Sequence, residues 1–101
     1  MDSDLLDKLE RIAAAGVSLL PSALEHHFVF TRDGMAVLVE RRGEGFGGIG
    51  SPGRITANGF EPLVDDGGTG SFVFKGQRTA AQPQEADAAR DLLRTLKTVL
   101  G

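Results

Sequence analysis

The run His26-His27-Phe28-Val29-Phe30-Thr31-Arg32-Asp33-Gly34-Met35-Ala36-Val37-Leu38-Val39-Glu40-Arg41 leaves this chain little choice of local structure. Asp-Gly accepts positive φ at both centres of a two-residue type I′ turn, and the twist of that turn matches the strands it joins. Arg32 should therefore face Met35. That register pairs Phe30 with Val37 and Phe28 with Val39 on one side, and Val29 with Leu38 and His27 with Glu40 on the other. The first side reads as core. The second is also partly apolar, which a sheet wetted on that side does not require, so Val29 and Leu38 are candidates for contact with a partner chain.

Helices are expected at both ends. Ser3 is placed to cap a helix whose Leu5, Leu9 and Ile12 follow helical spacing, with Leu6 and Ala13 widening the stripe and Gly16 as its stop. Asp4 with Lys8 and Asp7 with Arg11 are acid-before-base pairs on its exposed side. Val17 to Pro21 reads as an apolar connector, and Pro21 ends any continuing helix. Near the other end, Pro83 suits a first helical position and Glu85 a first turn. Ala86, Ala89, Leu93, Leu96 and Leu100 then form a helical stripe. Leu92 and Val99 broaden it, which leaves room for a contact with another subunit.

Between the hairpin and the second helix the pattern weakens. In 43–53 six of eleven residues are Gly, which reads as a connector rather than as a regular strand throughout. Short strands are expected over 54–57, 60–65 and 71–75. Asp66 to Gly70 is expected to turn between the last two, and Pro62 demotes its segment to an edge or a bulge. Phe72-Val73-Phe74 echoes Phe28-Val29-Phe30, but three residues make no repeat. The expected fold class is α+β: an antiparallel sheet of about four to five strands, with the N-terminal and C-terminal helices on one face. A chain of 101 residues buries about two-thirds of its extended surface, enough for one modest core, so 1–101 is expected to be a single domain.

Composition narrows the chemistry. The absence of Cys excludes disulfides, thiolate catalysis and cysteine-ligated metals, and the absence of Tyr and Trp removes phenol and indole anchors. All six aromatics are Phe, which packs but donates no side-chain hydrogen bond. Fourteen acids against eleven bases give a net charge of −3, the wrong sign for a nonspecific nucleic-acid or anionic-membrane binder. Neither nucleic acid nor membrane is an expected partner. The acidic opening Met1-Asp2-Ser3-Asp4 does not resemble a signal or transit peptide, so a cytoplasmic location is expected.

Several motifs invite a site. Gly43, Gly45 and Gly48, and again Gly45, Gly47 and Gly50, match GxGxxG, yet Ser51-Pro52-Gly53 follows where a nucleotide fingerprint needs a helix, and no Lys-Ser/Thr follows as in a phosphate loop. A backbone cradle for an anion or small ligand is the weaker alternative, built from Gly45, Gly47, Gly48 and Gly50 with Arg41, Arg42 and Arg54 beside them. The ordinary alternative for these arginines is pairing with neighbours such as Glu40 and Glu44. Glu25-His26-His27 is the one histidine cluster, but adjacent strand residues point to opposite faces, so no metal site is expected. Asp65-Asp66 before Gly67-Gly68 is turn chemistry, and Ser51 lacks the leading Gly of a nucleophile elbow. No cofactor is expected. The residues thus suggest a non-catalytic interaction or accessory module, self-associating as a homodimer through an apolar sheet face or a helix flank. A ligand-binding domain or minimal enzyme centred on 43–54 is the rival.

Overall fold

A computed structural model describes residues 3–20, 26–43, 45–57, 59–65 and 67–100, with side chains from Leu6 onward. Its elements are α1 (Ser3–Ala14), β1 (Ser18–Leu20), β2 (His27–Arg32), β3 (Met35–Arg42), β4 (Gly45–Thr56), β5 (Gly59–Val64), β6 (Ser71–Phe74), β7 (Gln77–Ala80) and α2 (Pro83–Leu100). The strands form one sheet in the order of the sequence, every neighbouring pair antiparallel. The helix–sheet–helix order is as expected, but the described residues form seven strands rather than four to five.

The hairpin β2–β3 has the anticipated register throughout, from Arg32 opposite Met35 to His27 opposite Glu40. Its turn is left-handed at both centres, with φ of 55° at Asp33 and 80° at Gly34. A second such turn at Lys75 and Gly76, with φ of 49° and 79°, joins β6 to β7. β7 was not anticipated because Gln77-Arg78-Thr79-Ala80 is exposed at every position and carries no apolar alternation. β1 lies within the segment whose sequence suggests a connector; its three exposed residues pair with Val29, Phe30 and Thr31 at the sheet edge.

The largest correction concerns the glycine-rich run, which is the body of the longest strand. β4 pairs with β3 from Gly45 to Arg54 and with β5 from Gly53 to Thr56. Its register on β3 slips twice, so that Gly50 and Ser51 together oppose Leu38, and Gly47 and Gly48 together oppose Glu40. These are two β-bulges, each adding one residue to β4. Pro62, expected on an edge strand or bulge, instead lies in β5 between β4 and β6. The β4 ladder ends at Pro62 and the β6 ladder begins at Leu63, so proline sits where the strand changes neighbours.

One face of the sheet carries the core. Phe30, Val37, Val39 and Phe72 are fully buried there against Ile12 of α1 and Ala89, Leu92 and Leu96 of α2. Burying each large apolar side chain contributes about 1.5–3 kcal/mol. Phe28, Phe30 and Phe46 form a tilted trio with centroids 5.1–6.2 Å apart.

The helix ends are well determined. Gly16 stops α1 as anticipated, at φ +80°. Its N–H donates to the Ala13 carbonyl at 3.0 Å and the Val17 N–H to Ile12 at 3.2 Å, a Schellman closure with Ile12 and Val17 both buried. The Gln82 N–H donates to Glu85 Oε1 at 2.9 Å, while the Gln82 carbonyl accepts the first helical bond, from Ala86, at 3.0 Å. Pro83 is then the first helical residue, as its missing N–H favours. The Ser3 cap, the Asp4–Lys8 pair, the break at Pro21 and the Asp66 turn position involve atoms outside the described residues.

Candidate functional site

Both helices pack on the inner face, through Ile12, Ala86, Ala89, Leu92 and Leu96. The outer face, set by alternation along the strands, has no helix over it among the described residues. Across it run Leu20, Val29 and Leu38, consecutive cross-strand neighbours, followed by the bulged segment of β4 and by Ile55, Phe60 and Val64. Leu20 is 39% exposed, Ile55 41% and Val64 36%; Leu38 and Phe60 are half-buried.

The bulges shape this face. A side chain on Gly47 would collide with Glu40, whose stem lies flat over that glycine. A Cβ at Gly50 would stand 3.0 Å from the Leu38 carbonyl oxygen, and one at Gly53 would meet the Glu61 carbonyl oxygen and the Phe60 ring. Gly48, in contrast, has nothing within 4 Å of where a Cβ would sit. The result is a shallow depression of about 350 Å³, floored by Gly48, Gly50 and Ser51 and walled by His27, Leu38, Glu40 and Phe60.

The arginines expected around a glycine cradle do not converge. Arg54 opposes Met35 and Arg41 opposes Phe46, so they lie at opposite ends of the β3–β4 pair. Six residues of strand, about 20 Å, separate them. Arg41 stacks on Phe28, with Cζ 4.6 Å from the ring centroid. Arg42 is on the outer side, its Nε and Nη2 donating to Glu40 Oε1 at 3.1 and 2.8 Å. Arg54 is on the inner face, where its Nε donates to Glu61 Oε1 at 2.7 Å and its Nη1 lies 3.8 Å from Glu85 Oε2. The Arg54 guanidinium also covers the Phe72 ring at 4.3 Å. Thr56 Oγ1 donates to the second Glu61 oxygen at 3.3 Å. Arg54 therefore joins β4, β5, β6 and the start of α2.

The other candidates fall apart similarly. Leu92, proposed for an interface flank, is fully buried in the core, because the 3.6-residue period turns it inward with Ala89 and Leu96. Val29, on the outer face between Leu20 and Leu38 in register, is only 5% exposed. Leu38 and Val99 remain half-buried. His27 and Ser51 line one depression, while His26 precedes β2 in a turn and its carbonyl accepts the Arg41 N–H at 2.7 Å. Glu25, grouped with the histidines by sequence, and Glu44, a suggested arginine partner, lie outside the described residues. Asp65 Oδ1 accepts the Gly67 N–H at 3.1 Å, the expected turn bond. No cluster of three His, Asp or Glu side chains suited to a metal occurs among the described residues.

Sequence reasoning missed Leu20, Ile55, Phe60 and Val64 as members of one surface, because their common face emerges only once β4 is paired on both sides. It also missed Arg32. From the end of β2 its Nη1 donates to the Ala15 carbonyl at 3.1 Å, and its Nη2 to Asp91 Oδ2 at 3.1 Å and Thr95 Oγ1 at 3.2 Å, linking the end of α1 to α2. No helix among the described residues is long and apolar enough to cross a membrane. Comparison with models of protein families, with curated proteins and with solved structures finds no match for this chain.

Proposed function

We propose that this chain is a non-catalytic interaction module that self-associates through the outer face of its sheet. The observation that carries this reading is the row of apolar side chains from Leu20 to Val64 on a face that no described helix covers. Two further features support it. Accessible surface is 6064 Å², against roughly 5,500 Å² expected for a compact monomer of this mass. Seven strands spaced about 4.8 Å apart span roughly 29 Å, so strands of about 20 Å give a footprint near 600 Å² in projection. That is the scale of the roughly 800 Å² each partner contributes to a standard interface.

The helix flank is the less suitable surface. The side of α2 that carries Leu93 is lined by Arg90, Arg94, Lys97 and Thr98, and a charged lining opposes burial against an identical copy. Light scattering from micromolar solutions is expected to give twice the 10.7 kDa chain mass, and Leu38→Asp to return it to the monomer. A monomer at every concentration overturns the reading.

The depression beside His27 and Ser51 favours a second reading, a small-molecule site on the glycine-rich segment. Binding there predicts a rise in melting temperature with the ligand that is lost in His27→Ala and unchanged in Arg54→Lys, whose position lies on the opposite face.

A further inference from the structure

The outer face carries a protrusion and a hole on the same strand. Ile55 stands out at 41% exposure near one end of β4, while the bulged segment leaves the depression over Gly48. Leu38 and Phe60 give the hole apolar walls, and the one carboxylate on its rim among the described residues, Glu40, is held by Arg42 through two hydrogen bonds. A side chain entering it gains apolar contact and, among the described residues, meets no unpaired anion.

We propose that this depression is a socket for Ile55 of a second copy, so that two sheets stack through their outer faces with β4 lying antiparallel over β4. The inference rests on the self-association reading and specifies its geometry. A twofold interface uses the same patch on both subunits and must therefore be self-complementary. Knob and socket are seven positions apart on one strand. A twofold axis crossing β4 midway, beside Ser51 and Pro52, places each Ile55 over the other copy's Gly48 and aligns the strands as in packed sheets about 10 Å apart. No other pair of features on this face is needed to fix the arrangement. The two bulges thus have a use: they open the socket in a surface that regular pairing of side chains would fill.

The chain contains no Cys, so introduced cysteines report the geometry without background. The double variant Gly48→Cys with Ile55→Cys is expected to form an intermolecular disulfide under mild oxidation, and Ile55→Cys alone to remain uncrosslinked, because the two Ile55 positions lie far apart on either side of the axis. In sedimentation, Gly48→Val and Ile55→Ser are each expected to weaken dimerisation at least tenfold. The unfolding midpoint of the dilute Gly48→Val monomer should hold, since the space at Gly48 is open, whereas Ile55→Ser, which removes a side chain more than half covered, should lower it modestly. Gly48→Ala provides a smaller filling variant if valine perturbs the strand. A wild-type chain that stays monomeric overturns both the socket and the self-association reading. A dimer that Leu38→Asp dissociates, but that tolerates Gly48→Val and Ile55→Ser and does not crosslink in the double variant, overturns the socket alone.

Discussion

β3 has two neighbours and is joined to them in opposite ways. Towards β2 it keeps one register across six residue pairs, closed by a two-residue turn. Towards β4 the register slips twice, and five of the ten residues opposite, Gly45, Gly47, Gly48, Gly50 and Gly53, are glycines. Regular pairing gives the β2 side alternation, with Phe30 and Val37 inward and Val29 and Leu38 outward. The bulged side loses alternation and gains a surface feature: a strand that can be crossed by Glu40 and Phe60 lying flat, with open space over Gly48. Regular pairing makes core; interrupted pairing makes shape.

Substitutions can break or sharpen that contrast. The largest effect is expected at Gly53, where any Cβ runs into the backbone of β5. Gly53→Ala should lower stability by about 3 kcal/mol, read as a drop in the denaturant midpoint at unchanged slope. An unchanged midpoint would mean that close approach between β4 and β5 does not need glycine. Next is Arg54→Ala, which leaves Glu61, 8% exposed, without its cation. Loss of a fully buried pair costs about 3–5 kcal/mol, and the 23% exposure of the Arg54 side chain reduces the expectation to about 2 kcal/mol. Restoration of the midpoint in an Arg54→Met, Glu61→Leu double variant would show that packing alone suffices there. On the regular side, Gly34→Ala places a Cβ at φ +80° and should cost about 1–2 kcal/mol, with the hairpin register retained in amide-exchange patterns. The smallest effect belongs to Gly48→Val, within about 0.5 kcal/mol for the dilute monomer, because the site is open and valine favours strands.

The same contrast decides how much was legible in the sequence. The hairpin was readable to the residue because alternation and Asp33-Gly34 point to one register. Gly16, Pro83 and Glu85 likewise announced the helix ends through local chemistry. β4 was unreadable for a definite reason: each bulge shifts the phase by one residue, so Phe46, Ile49 and Pro52 recur every third position instead of every second. No two-residue period survives, and the glycine content then argues against a strand that pairing on both sides nevertheless holds. β1 and β7 escaped because a three-residue segment is too short to show a period and Gln77-Arg78-Thr79-Ala80 has no apolar side to show. Arg54 groups with the glycines in sequence but not in space, because adjacency along the chain says nothing about which face a strand residue takes. Here it points to Phe72 and Glu61, away from the depression.

The sequential strand order has a consequence for how the chain reaches this structure. Every ladder joins neighbours in sequence, so the sheet can grow outward from the Asp33-Gly34 turn by closing only short loops, each at little entropic cost. The packing of α1 against α2 is different, since it brings together segments separated by nearly the whole sheet. Arg32 sits at that junction, beside the first turn expected to form, with its guanidinium spanning Ala15 and Asp91. Folding of this molecule should therefore be a fast zippering of hairpins followed by a slower helix-docking step. Removing the Arg32 side chain should speed undocking while leaving hairpin formation untouched.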